Sequence, residues 1–284
     1  MSLRVAEWIQ LSFALLLAVA AWLRPLERQR RRRVTWLGLM AIAAIVAGRL
    51  SGHWISPVVS SIGRDWLPAG LLLVPYWQVG QFFTAPDARM EARLAAVDRA
   101  FFRTIGIEPS RVRIGVGLAT YLQLAYFMVY PLIPLGLAVL YATGQRRSVD
   151  YYWLVVLPAT YLSFALTPFV RALPPRLLPG YDTFRSPPTR IEALNRVILD
   201  RASIQAITCP SGHVASATAA ALALLRLEPW IGAIFLCVAI SIAVATVVGA
   251  YHYAADVLLA SAIAIVVFAV TYSAGTGSLH LTSY

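Results

Sequence analysis

Long apolar runs alternate with short polar ones along this chain. Runs close to or above the roughly 20 residues needed to cross a hydrocarbon core of about 30 Å fall at Val5–Leu23, Val34–Leu50, Trp66–Phe83, Ile114–Thr143, Tyr151–Val170, Pro210–Leu225, Trp230–Gly249 and Val257–Ala274. Backbone exposed to lipid has to satisfy its own hydrogen bonds, so these eight runs predict helices. The expected fold class is all-α, a polytopic transmembrane helical bundle of about eight spans. The fourth run is too long for one straight span and carries Pro131 and Pro134, which predicts a kink or a tilt. The first run keeps Glu7, lacks a small-residue cleavage site and precedes an arginine cluster; it reads as a retained helix rather than a signal peptide.

Composition agrees with that pattern. Of 284 residues, 59% are hydrophobic and only 13% charged, a balance of membrane proteins. The net charge is +11 and all 24 basic residues are arginine, so a cation gripping phosphate has to be a guanidinium. Most arginines fall in three groups, Arg24 to Arg33, Arg89 to Arg113 and Arg171 to Arg201. Counting eight spans puts all three on one side, and basic loops stay inside. The expectation is a multi-pass protein of a cell membrane, of the bacterial inner-membrane kind, with these groups cytoplasmic. In the second group Met90, Leu94, Val97 and Phe101 recur at helical spacing, as in a helix at headgroup level. No soluble basic face or aromatic-basic module is present, which argues against nucleic acid as a partner. Cys209 and Cys237 lack metal-ligand spacing, and Cys209 reads as a small buried hydrophobe. No repeat or soluble domain interrupts the chain. It divides into N-terminal helices with the interfacial helix, 1–113, and a C-terminal transmembrane core, 114–284. Oligomeric state is not legible.

The chemistry gathers in the C-terminal half. A long proline-rich polar connection, Arg171 to Thr208, leads into "CPSGHVASAT". There Pro210 can start a helix, Gly212 lets an anion approach the backbone, and unpaired N–H groups of the first turn form a phosphate site. Ser211 adds a hydroxyl, and His213 stands close enough to protonate a leaving oxygen. Further on, "VVGAYHYAADVLLASA" places His252 and Asp256 at i and i+4. If a helix begins near Tyr251, the carboxylate accepts the imidazole N–H and leaves the other ring nitrogen as a nucleophile. Attack on phosphorus by His252 and protonation of the leaving alkoxide by His213 give a phosphohistidine that water or another alcohol resolves. Arg176 and the N–H cluster would neutralise the phosphate oxygens. His53 and His280 read as solvated interfacial residues.

These residues resemble the type 2 phosphatidic acid phosphatase superfamily. Pro210-Ser211-Gly212-His213 matches its second signature segment, and His252-x-x-x-Asp256 the histidine and aspartate of its third. The resemblance implies a six-helix core, here with extra N-terminal helices, a His252 nucleophile oriented by Asp256, His213 as the acid, and neither metal nor cofactor. It also implies a lipid phosphate substrate entering from the bilayer among membrane lipids. Two positions depart. Phe169 stands where the first signature has lysine, and Thr246 where the third has arginine; Arg171 or Arg185 would have to supply the missing charge. The Pro174-Pro175-Arg176 and His252-Tyr253 forms look like the branch with inositol phosphorylceramide synthases and bacterial relatives. Lipid-phosphate phosphatase is thus the leading expectation, with lipid phosphotransferase second and a non-catalytic lipid-binding or transport protein third.

Overall fold

The computed structural model describes residues 2–204 and 206–280, with side chains through Ala274. Twelve α-helices form among the described residues. The N-terminal part holds α1 (Val5–Leu23), α2 (Arg28–Leu50), α3 (Pro57–Leu71), α4 (Leu73–Gly80) and α5 (Ala88–Thr104). There follow α6 (Val116–Phe127), α7 (Val129–Ala142), α8 (Val149–Leu166) and α9 (Arg190–Ala202). The last three are α10 (Gly212–Leu227), α11 (Pro229–Val248) and α12 (Ala254–His280).

Proline decides where the long apolar runs break. Pro131 has no N–H for the carbonyl of Phe127, and α6 meets α7 at Met128 with a bend of 60°. Pro75 likewise leaves the Leu71 carbonyl without its helical donor, and α3 parts from α4 at Leu72. The expected continuous span Trp66–Phe83 is therefore two shorter pieces. Five segments are long and apolar enough to cross a membrane, Val5–Leu23, Arg28–His53, Arg146–Phe169, Pro229–Val248 and Ala254–Ala274; the bent α6–α7 pair makes six. Of the eight expected, the broken α3–α4 pair and α10, at 16 residues, fall outside this count by length and composition. The second helix begins at Arg28 rather than Val34. Arginine is a good helix former, and Arg30 donates to the carbonyls of Gln81 (3.2 Å) and Phe83 (2.7 Å) just beyond α4.

Helix α10 is central. Its alanines at 215, 217, 219, 220, 221 and 223 are buried, and small side chains let α8, α11 and α12 pack against it on different sides. Contacts also separate the two ends of the bundle. At one end Arg24 donates to the carbonyl of Pro168 (3.3 Å), Asp87 N–H to the carbonyl of Arg171 (2.7 Å), and Leu173 N–H to Glu91 (2.9 Å). The three arginine groups thus meet at this end. At the other, Arg64 donates through Nε and Nη2 to the two Glu7 oxygens, both at 2.7 Å. Asp65 pairs there with Arg4 and Arg146 and accepts from the Tyr141 hydroxyl.

The Arg64 and Glu7 side chains are 4% and 1% exposed. Removing one partner leaves a buried charge alone, which costs roughly 3–5 kcal/mol, whereas apolar replacement of both is far cheaper. Glu7→Ala is expected to lower the melting midpoint in detergent sharply, and Glu7→Leu with Arg64→Met to restore most of it. An unchanged midpoint in the single variant would contradict this account.

Candidate functional site

The turn between α11 and α12 places the second histidine. Helix α11 closes with Tyr251 N–H on the carbonyl of Thr246 (2.8 Å) and Ala250 N–H on that of Val247 (3.0 Å), while Ala250 takes φ 52°. This is a Schellman closure with alanine in the left-handed position that glycine usually fills. Glycine stands one residue earlier, because a Cβ at Gly249 would lie 2.4 Å from the Tyr251 ring. The Thr246 carbonyl also accepts the His252 N–H (3.1 Å). The expectation that a helix carries His252 is corrected: α12 starts at Ala254, two residues later. Asp256, in its first turn, reaches back to His252 Nδ1 (3.2 and 3.3 Å to its two oxygens) and accepts the Tyr253 N–H (3.3 Å). One carboxylate thus orients the imidazole and ties down a backbone donor at the helix start. Both residues are buried.

His213 is the second residue of α10, and its ring centroid lies 5.8 Å from that of His252. Tyr126 and Tyr130 pack edge-on against it at 6.0 and 6.4 Å. Its Nδ1 is buried and has no hydrogen-bond partner among the described residues. Tyr126 in turn stacks on Tyr251 at 4.0 Å, and the Arg176 guanidinium lies 5.1 Å from the Tyr251 ring centroid. Arg176 N–H donates to the Ala250 carbonyl (2.9 Å), which fastens the polar connection to the turn that presents His252.

The remaining predicted residues are placed differently. Ser211 is fully buried and its hydroxyl caps Val214 N–H (3.4 Å), while the Thr208 hydroxyl takes Gly212 N–H (3.3 Å). Two of the first-turn donors expected to face phosphate are therefore occupied by hydroxyls of the chain itself. Gly212 serves close packing: a Cβ there would sit 2.4 Å from the Phe164 ring. Arg171 is exposed and faces Asp87 at 3.9 Å. Arg185 is exposed and forms an isolated β-bridge with Arg113. Both are exposed, and no hydrogen bond or ion pair among the described residues joins either to the histidine pair. His53 is exposed at the far end of α2. The His280 side chain lies outside the described residues. Cys209 packs as a buried hydrophobe with Ala172, Ile207 and Tyr253.

Asp98 is the residue sequence reasoning missed. It sits on α5, 1% exposed, and accepts Ala254 N–H (3.1 Å), Ala255 N–H (3.2 Å) and the Tyr181 hydroxyl (2.5 Å). It caps α12 across the bundle end, just after His252. The buried side of α5 runs through Ala95, Asp98 and Phe102, rotated from the expected stripe, since Val97 is exposed. An acidic residue on the apolar side of an amphipathic helix was the available signal. Burial holds the Asp98 carboxyl above the ordinary carboxylate range, and its hydrogen bonds draw it part of the way back. The folded value lies above the unfolded one, so its contribution to stability is complete at low pH and is lost as pH rises through the folded value.

A family model described as the PAP2 superfamily matches residues 93–270, from α5 into α12. No curated protein and no solved structure matches the chain.

Asp98→Ala leaves two helix N–H groups without their partner, a penalty of about 1–3 kcal/mol. It is expected to lower kcat more than it raises KM, by displacing His252, and Asp98→Asn to recover part of the loss. As pH rises from about 4 toward neutrality, wild type should lose melting midpoint relative to Asp98→Asn. Parallel pH profiles for the two proteins would refute the assigned direction.

Proposed function

The chain belongs to the PAP2 superfamily, and on that premise we propose that it is an integral membrane phosphatase hydrolysing a lipid phosphomonoester or diphosphate through a phosphohistidine. Membership supports phosphatase or phosphotransferase chemistry in general. The finer reading rests on one observation: two histidine rings 5.8 Å apart, one of them held at Nδ1 by a buried carboxylate. With Nδ1–H donated to Asp256, His252 Nε2 carries the free electron pair and attacks phosphorus. The P–N bond forms as the P–O bond to the lipid alcohol breaks, and His213 gives its proton to the departing alkoxide. Arg176 balances charge on the non-bridging oxygens. Water, deprotonated by His213, then cleaves the P–N bond and releases phosphate. No step uses a metal or cofactor. The second reading, transfer of the phospho-headgroup to another lipid alcohol, shares every step up to the phosphohistidine and is favoured by Phe169 and Thr246 at the two departed signature positions. The arginines gathered at the site's end support a cytoplasmic active face by the positive-inside rule.

Phosphate release from phosphatidate, a polyprenyl diphosphate and phosphatidylglycerol phosphate, without added metal, tests the leading reading. His252→Ala should abolish it, by at least about a thousandfold, as expected for loss of a nucleophile. His213→Ala should impair a lipid ester far more than p-nitrophenyl phosphate, whose leaving group needs no proton. A headgroup-transferred lipid appearing instead of free phosphate when an alcohol is supplied would replace hydrolysis by transfer.

Sidedness is read by labelling Thr183→Cys in a Cys237→Ser background. Protection from an impermeant reagent in intact cells is the expected result, and rapid labelling would place the face outside.

A further inference from the structure

Beside His213 lies a cavity of about 320 Å³. His213, Gly212 and Thr208 line it together with Tyr130 and Phe164. A further wall is formed by Ala69 of α3, Leu72 at the break between the two helices, and Leu73, Tyr76 and Trp77 of α4. That wall lies outside the stretch 93–270 matched by the family, so it is supplied by this chain's own N-terminal helices.

The wall is fastened to the reactive end rather than merely adjacent to it. The Trp77 indole N–H donates to the Ala202 carbonyl (3.2 Å), and the Tyr76 hydroxyl accepts Ile204 N–H (3.2 Å). A Cβ at Gly80 would lie 2.5 Å from Ile204 Cγ2, so α4 presses directly on this segment. From Ala202 and Ile204 the chain runs on into Thr208 and His213. Leu73 is 49% exposed and Trp77 37%, and they mark where the cavity meets the apolar outer surface of the bundle.

We propose that this cavity holds the first carbons of a single hydrocarbon chain esterified to the phosphate, and that α3 and α4 gauge its length and girth. The proposal rests on the reading of the histidine pair as a phosphoryl-transfer site. Two observations carry it. The walls are largely apolar and His213 is among the few polar groups that line them, which lets an amphiphile lie with its ester oxygen toward the proton donor and its chain along the apolar lining. The volume also suits the first part of one chain: at about 30 Å³ for a small group, the cavity of about 320 Å³ admits about ten. The rest of a longer chain passes between Leu73 and Trp77 into the bilayer.

The test is phosphate release by the purified full chain from straight-chain alkyl phosphates, butyl to hexadecyl, beside p-nitrophenyl phosphate and phosphatidate. For wild type, kcat/KM should climb up to about fourfold per methylene and level off near about ten carbons, where the cavity is full. Ala69→Phe, which occupies the cavity, should cut the decyl-to-butyl ratio about tenfold and move the plateau to shorter chains. Leu72→Ala, which widens it, should move the plateau to longer ones; should Ala69→Phe fail to fold, this variant carries the test alone. Wild-type chain-length profiles in folded variants would overturn the proposal, as would phosphatidate preferred over decyl phosphate in all three proteins. No release even from p-nitrophenyl phosphate would instead reject the phosphatase reading. The cavity is then judged by equilibrium binding of radiolabelled decyl phosphate. Binding weakened about tenfold by Ala69→Phe sustains it, and unaltered binding overturns it.

Discussion

The first turn of α12 is anchored by two buried carboxylates, and the rest of the site hangs from that anchorage. A helix N-terminus offers unpaired N–H groups and a partial positive charge. Asp256 uses this from inside the helix and Asp98 from α5, and each also meets a second group, His252 Nδ1 and the Tyr181 hydroxyl respectively. The start of α10 depends on the same turn, since Ser211 N–H approaches the Asp256 carbonyl at 3.4 Å. His213 and His252 therefore face each other because two helix starts are tied together, with the Ala250 turn setting how far α11 overshoots before α12 begins. A carboxylate buried here without donors would be too costly to keep ionised. Meeting that requirement fixes the imidazole.

Close packing surrounds the two histidines with protein. Gly212 admits the Phe164 ring, and the alanines of α10 let three neighbouring helices approach. Charges in such surroundings act more strongly than in water, which gives weight to a single guanidinium. Arg176 reaches the cluster through its backbone bond to Ala250 and its place over Tyr251, so the strained turn positions the cation and the histidine together.

Much of this was legible in the sequence. Apolar runs gave the helical class and most helix positions, because hydrophobic length is local information. The two histidines and Asp256 were legible because each stands in a short motif with its own companions. What escaped was non-local. Nothing near Asp98 in the chain points to α12, 156 residues away. The first-turn donors of α10 looked open because the hydroxyl that takes Gly212 N–H belongs to Thr208, ahead of the recognised motif. Arg171 and Arg185 were candidates by proximity in sequence, but an extended connection turns successive side chains to different surroundings. The α3–α4 break was written in Pro75, yet composition alone read through it.

The two departed signature positions look different once neighbours are seen. Thr246 is fully buried, and its carbonyl holds the N–H groups of Tyr251 and His252. A long cationic side chain there would have to enter the packed face of α11, and the turn it supports would bear the strain. Phe169 is exposed, and the Arg24 guanidinium stands 4.4 Å from its ring centroid while donating to the Pro168 carbonyl. At this position a positive charge thus comes from Arg24, just past the end of α1, through an attraction between cation and aromatic face, instead of from the motif's own residue. Together with Arg30 on α2, which binds the carbonyls after α4, this makes the N-terminal helices contributors to the charge at this end of the bundle.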